Sequence, residues 1–316
     1  MPLAAPLVGL NNTGEFGKQL RQQTAAVRLR TRSFGTRRKL PKHRIAQAAE
    51  VFDADARRVF ASKTLLDTKA PVYKGVTGTL SRAKQYWRAC TVPYPDAGIR
   101  LIQRSRIESF QNQMAVYVSD LDRDLAELRD AYKELRDKAS VELGDLFDDA
   151  DYPVDITSEF GLSWEFPTLA VPEYLKQLNP QLYEAEMARL ESRFEEAVRL
   201  NEQQLAEELA KLTGNLLDKL TGDNKVIRAS AVANFDEFFQ RFSDMSTGAN
   251  PALAEAVEAA RKVVGNVDPT QLRKDAGHRQ TVADAMQAVQ TAIDAVLVDR
   301  PARQFQFDDD EEGGAS

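Results

Sequence analysis

The sequence predicts a mainly α protein: a long antiparallel coiled-coil helical hairpin, a small β element (a minor α+β part) and a C-terminal helical bundle. Three observations carry that expectation. Between Met114 and Ala139 the apolar residues Met114, Val118, Leu121, Leu125, Leu128, Tyr132, Leu135 and Ala139 alternate at spacings of four and three, the seam of a coiled coil. A second stripe runs through Tyr183, Met187, Leu190, Phe194, Ala197, Asn201, Leu205, Leu209, Leu212, Leu216 and Leu220. Between the two stripes, residues 145–172 change to apolar, β-branched and aromatic residues set among turn signals.

In chain order, residues 1–23 read as a loosely ordered leader. Residues 25–34 alternate, with Val27, Leu29 and Thr31 on one face and Arg28, Arg30 and Arg32 on the other, the period of a strand with one buried face. A basic turn, GTRRKLP, follows, and a helix is expected from Lys42 to about Leu65 through Ile45, Ala48, Ala49, Phe52, Ala56, Val59 and Phe60. Pro71, Gly75 and Gly78 mark 67–79 as a loop, with a further helix over about 80–90 and an irregular TVPYPDAG after it. These pieces form a basic strand-plus-helix region, 24–106.

The first seam helix is expected over 107–143, about 55 Å long at 1.5 Å per residue, and stops at Gly144. Short strands near 153–158 and 160–167 are candidates to pair with 25–34, because a two-stranded ribbon is marginal alone. The second seam helix, 180–220, opens behind Asn179-Pro180, a cap followed by proline in the first turn. It is the expected antiparallel partner of 107–143, so that 107–222 forms one hairpin with Asn201 in its seam setting register. Residues 223–299 carry helices over 227–245, 251–264 and about 278–298, and 300–316 end in a disordered acidic tail.

Charge is segregated. The chain carries a net −6, yet residues 16–49 hold ten Lys or Arg and no Asp or Glu. Residues 16–106 carry 21 basic and 5 acidic residues, a balance of +16, which leaves −22 for the rest. The single cysteine, Cys90, rules out an intrachain disulfide, and no run of 18 apolar residues offers a membrane span. A cytoplasmic protein is expected.

Three stretches together resemble the domain-of-unknown-function 3150 family of bacteria, plasmids and phages: VRLRTRSFGTRRKL at 27–40, TVPYPDAGIRLI at 91–102, and IRASAVANFDEFF at 227–239 with DPTQLRKDAGHRQTVADAM at 268–286. The first strand departs from the family pattern, with an Arg-rich run where an aromatic is usual. The resemblance implies a helical, coiled-coil-like protein without established activity, in the bacterial host cell if phage-encoded. It also implies an adaptor role beside MoxR-like AAA+ ATPases and von Willebrand A domain proteins.

Chemistry is sparse. Cys90, His43 and His278 form no nucleophile signature and are too few for a structural zinc site. Asp145, Asp148, Asp149, Asp151 and Asp155 miss the EF-hand spacing and read as a solvated acidic turn. Gly75-Val76-Thr77-Gly78 matches the short GXXG of KH domains without that fold's surroundings. No catalytic residue, metal or cofactor is expected.

The remaining feature is the basic segment Arg28, Arg30, Arg32, Arg37, Arg38, Lys39, Lys42 and Arg44, a surface for an acidic partner or for nucleic acid. Phe34, Tyr86 and Trp87 are candidate stacking surfaces. The leading expectation is a non-enzymatic interaction or scaffold protein, a homo-oligomer or an adaptor to an AAA+ ATPase. The alternative is a nucleic-acid-binding protein acting through 28–44.

Overall fold

A computed structural model describes residues 12–221, 229–265 and 275–297, together with Leu10, Val267 and Leu272. The acidic tail and the Gly222-Asp223-Asn224 break lie outside the described residues. The elements in order are α1 (Thr13–Gln23), β1 (Thr24–Arg32), β2 (Arg37–Lys39), α2 (Lys42–Val51), β3 (Ser62–Thr64), α3 (Pro71–Ala89), β4 (Val92–Pro93) and β5 (Ile99–Gln103). They continue with α4 (Ile107–Leu143), β6 (Gly161–Glu165), α5 (Tyr174–Leu178), α6 (Pro180–Thr221), α7 (Ala229–Met245), α8 (Pro251–Val264) and α9 (Ala276–Val296). The chain is mostly helical with a small antiparallel sheet, and no described helix is long and apolar enough to cross a membrane. It forms two compact units: one of residues 1–23, 92–95 and 170–316, the other of 24–91 and 96–169.

The 24–169 unit is built on β1 and α4. Strand β1 pairs antiparallel with β5 on one side, from Thr24 opposite Gln103 to Arg28 opposite Ile99. On the other side it pairs with β6, from Arg28 opposite Glu165 to Arg32 opposite Gly161. Val27 and Ile102 project from this sheet into a cluster with Phe110 and Met114 of α4 and Ala83 of α3. Further along α4, Leu121, Leu128 and Tyr132 meet Tyr73, Val76 and Leu80 of α3, with Phe34, Leu65, Tyr152, Ile156 and Phe160 in the same core. Burying a Leu of this kind contributes roughly 1.5–3 kcal/mol. Three tyrosine hydroxyls tie the surrounding loops to this core. Tyr73 donates to the Phe34 carbonyl at 3.3 Å, Tyr152 to Leu65 at 2.8 Å and Tyr132 to Pro153 at 2.9 Å.

In the other unit α6 is central. Leu205, Ala206, Leu209, Leu216 and Leu220 share one core with Phe235 and Phe238 of α7, Leu253 and Val257 of α8, and Met286, Val289 and Ile293 of α9. Higher up, α1 lies on α6 at close range. A Cβ added to Gly17 would sit 3.2 Å from the Glu195 amide nitrogen and 3.3 Å from the Phe194 carbonyl carbon, so glycine is what lets the two helices approach. Tyr94, just after β4, sets its ring edge-on to Phe194 at 5.5 Å.

Several expectations are corrected. The long helices 107–143 and 180–221 both form, and Asn179 caps the second by accepting from the Leu182 amide at 3.1 Å. Within the units, Met114 shares a core with the sheet and α3, Leu121, Leu128 and Tyr132 with α3 and the 147–160 loop, and Leu205 with α7 to α9, while Phe194 meets Tyr94 and Leu190 is buried. Val118, Leu125, Leu135 and Leu212 are half-buried. The leader 13–23 is a helix. Residues 71–79, expected as a loop, are the first half of α3, since Pro71 suits the first turn and Gly75 faces Asp124 of α4, 3.8 Å from where a Cβ would stand. That places the GXXG stretch in a helix and removes the KH reading. Residues 156–159 form a 3-10 turn capped by Asp155 rather than a strand, while the strand expected near 160–167 forms and pairs with β1 as β6.

Candidate interaction surface

The basic segment divides into two parts with different fates. Arg28 and Arg30 lie on the face of β1 that turns away from the core, and both reach Glu165 of β6, at 3.1 and 2.9 Å. Arg30 foremost, then Arg28, holds the Glu165 carboxyl below its ordinary value. Arg32 donates to the Phe160 carbonyl at 3.5 Å. These three arginines help hold β6 to β1.

Beyond Phe34, which is still buried in the core, the chain leaves it as an arm. Its neck is the two-stranded β2–β3 ladder, in which Arg37, Arg38 and Lys39 stand opposite Thr64, Lys63 and Ser62. The Leu40 amide donates to the Ala61 carbonyl at 3.0 Å and the Leu65 amide to Thr36 at 2.8 Å, which closes residues 40–61 into a loop with its ends together. Asp151 anchors the neck, 2.6 Å from the Lys63 ammonium and 3.8 Å from the Arg38 guanidinium. Lys63 also donates to the Leu146 carbonyl at 2.6 Å, and Arg38 rests over the Phe34 ring at 5.8 Å.

Within the arm, the helix expected to reach Leu65 ends at Val51. Asp53 takes φ +50°, in the left-handed region that stops a helix, and Asp55 then accepts from the Arg57 amide at 2.9 Å to open a 3-10 turn. The Arg57 side chain closes on the same carboxylate at 2.8 Å, and this pairing lowers the Asp55 pKa. With the helix cut short, its apolar stripe loses its continuation. Val51, Phe52 and Phe60 are 77%, 79% and 88% exposed, and Ala49 is the one buried residue between 40 and 61. The same stretch exposes Arg37, Lys39, Lys42 and Arg58 as well as Glu50, Asp53 and Asp55, and Arg44 is half-buried beside Gln47. Residues 37–63 carry eight Lys or Arg against three Asp or Glu.

The stacking candidates chosen from sequence are occupied. Phe34 is buried, Tyr86 stacks on Phe110 at 6.1 Å, and Trp87 lies under the Arg100 guanidinium at 5.7 Å. Phe52 and Phe60 are the aromatic side chains that the arm presents. Sequence reasoning counted them as a helix face, and the signal against that was Asp53-Ala54-Asp55, two turn-forming residues inside the stripe.

The other chemistry is structural. Burial pushes the Cys90 thiol up to about 11, so it stays protonated at neutral pH. The acidic turn is spent on capping and pairing: Asp148 accepts from the Ala150 amide at 3.0 Å, Asp155 from Thr157 at 2.9 Å, and Asp149 meets Arg136 at 2.7 Å. Among the described residues no group of three or more His, Cys, Asp or Glu is placed to hold a metal ion.

Sequence reasoning missed one buried acid. Glu202 of α6 is fully buried, and its Oε1 accepts from the Thr247 amide at 2.9 Å and the Thr247 hydroxyl at 2.7 Å. Its neighbour Asn201 donates to the Met245 carbonyl at 2.8 Å. The pair holds the α7–α8 turn against α6, and desolvation raises the Glu202 pKa above the ordinary glutamate value despite the bonds from Thr247.

No family model, no curated protein and no solved structure matches the chain.

Proposed function

We propose that this chain is a non-enzymatic helical interaction protein that docks an acidic partner through the arm at 40–61. One observation carries the reading: Val51, Phe52 and Phe60 stand in solvent on a loop that also exposes Lys42, Arg57 and Arg58 and whose neck is pinned by Asp151. Exposed aromatic anchors on a positioned loop are the usual makings of a docking element, because their burial drives binding while the charges around them select the partner. We read α6 to α9 as the C-terminal bundle of such a scaffold. An AAA+ ATPase as the partner rests on the family resemblance alone.

A second reading is favoured by the same pairing of Phe with Lys and Arg: single-stranded nucleic acid stacked on Phe52 and Phe60, its phosphates met by the basic residues. Salt-titrated binding separates the two. The purified protein is offered poly-glutamate and single-stranded DNA between about 50 and 200 mM salt. Binding of poly-glutamate that Phe52→Ser with Phe60→Ser weakens at least tenfold supports docking of an acidic protein. Submicromolar DNA binding with a steep salt slope, lost in the same variant, moves the conclusion to nucleic acid. Binding of neither removes the arm from the function.

A further inference from the structure

The neck of the arm is a ladder of two strands, and its hydrogen bonds fix which residues face the outer edge of β2. The Leu65 amide donates to Thr36 and the Leu40 amide to Ala61, so positions 36, 38 and 40 are those that bond across the ladder. Bonded and non-bonded positions alternate in an antiparallel pair, so the N–H and C=O groups of Arg37 and Lys39 turn away from β3. Among the described residues the N–H groups of both and the Lys39 C=O have no hydrogen-bond partner. The Arg37 C=O meets a long contact, 3.4 Å, from the Arg38 guanidinium. The same two residues carry the free charge of the neck. Arg38 and its cross-strand neighbour Lys63 share one face of the ladder and share Asp151, at 3.8 and 2.6 Å. Arg37 and Lys39 lie on the other face, exposed, opposite Thr64 and Ser62. Strands β2 and β3 hold four Lys or Arg and no Asp or Glu, so Asp151 answers two of the four cations.

We infer that the open edge of β2 takes an extended acidic segment of a partner protein as a third, antiparallel strand, with Asp or Glu at alternate positions. The inference rests on the reading of this chain as a docking protein for an acidic partner, and gives that partner its form and its seat at the neck. The residues opposite Arg37 and Lys39 are two apart on the incoming strand, about 6.8 Å, and their side chains share the face of the two cations. Their backbone groups meet the free N–H and C=O groups of the same two residues, so one acid-x-acid pattern fills the ladder and the charge together. A third strand also completes a ribbon that is marginal with two. The β2 edge of a second copy is excluded by the same geometry, because it would set Arg and Lys directly against Arg and Lys. Nucleic acid would answer the charges and leave the strand edge unpaired.

The probe is a short peptide of alternating glutamate and threonine, offered to the full-length protein at about 50 mM salt. Arg37→Thr with Lys39→Thr changes two exposed positions, keeps strand-forming residues, and is expected to weaken binding about tenfold or more. Methylating the peptide's glutamate nitrogens should weaken it as much, and methylating its threonine nitrogens should not, because only the former face β2 in an antiparallel strand. The amides of Arg37 and Lys39 should gain protection from exchange when the peptide is bound. No binding of the peptide overturns the proposal, as does binding that tolerates glutamate methylation or leaves both amides unprotected. Single-stranded DNA held through Arg37 and Lys39 in preference to the peptide overturns it as well. Phe52→Ser with Phe60→Ser leaves β2 intact and keeps the two failures apart. If that variant alone weakens binding, the loop docks its partner and strand addition falls. If the Arg37 and Lys39 variant and glutamate methylation alone weaken it, strand addition stands and the exposed aromatics drop out of the docking element.

Discussion

The two long helices look alike in sequence and are used differently. Helix α4 buries Phe110, Met114, Leu121, Leu128, Tyr132 and Ala139, one stripe on one side, and leaves the rest of its surface charged. Helix α6 buries twice as many residues, and Asn201, Glu202 and Thr213 are among them. The first is the wetted wall of a two-layer core; the second is a central post with neighbours on several sides. A heptad-like stripe therefore says that a face will be covered and says nothing about what covers it.

The contrast can be broken most severely in the seams. Leu128→Asp together with Leu125→Asp should unfold the unit built on α4, since Leu128 is fully buried and an unpartnered carboxylate there adds a desolvation cost to a lost Leu worth about 2–5 kcal/mol. Leu205→Asp should do the same to the unit built on α6. Amide exchange checks both, with protection lost in α3 and α4 for the first and in α6 and α9 for the second. Wild-type melting in either variant would sink the assignment of that face.

A smaller effect is expected where α1 meets α6. Gly17→Val drives a branched side chain into the Phe194–Glu195 backbone and should cost about 1–3 kcal/mol, read as a lowered Tm and lost protection in 13–23. Glu202 sharpens the comparison through pH. Its folded pKa is raised, so its favourable contribution is fully present below the ordinary glutamate pKa and is lost as pH rises through the folded value. Glu202→Gln keeps an acceptor for Thr247 and carries no charge, so the variant should melt above the wild type at about pH 8, and the gap should shrink towards pH 4. A gap that widens on acidification would reverse the sign. The least effect is expected from Arg30→Ala: its pair with Glu165 is exposed, and the Tm should hardly move.

Much of this was legible in the sequence, and the misses share a cause. Periodicity located α4, α6 and α8 and the strand at 24–32, because each has a long stretch in which burial alone decides the pattern. It failed wherever small residues stand for a close contact. Gly17 and Gly75 look like breakers, yet Gly17 sits in a helix that the backbone of α6 approaches to 3.2 Å, and Gly75 in a helix against the Asp124 side chain at 3.8 Å. The arm failed in the opposite way: its apolar residues kept helical spacing, and two aspartates with local hydrogen bonds outweighed the stripe. Of the candidate site, the charges of 28–44 were legible. Their division was not, because pairing Arg28 and Arg30 with Glu165 depends on a strand more than 130 residues away.

The passage of the chain between its two units has a consequence for biosynthesis. It crosses from one unit to the other four times, after residues 23, 91, 95 and 169. Helix α1 leaves the ribosome about 170 residues before Phe194 and Glu195, the part of α6 that Gly17 approaches, a delay on the order of 10–30 s at ordinary elongation rates. Throughout that interval the amphipathic segment 13–23 has no surface to settle on, whereas β1, α3 and α4 can already close around one another. The unit built on α4 can therefore close before α1 finds its seat on α6.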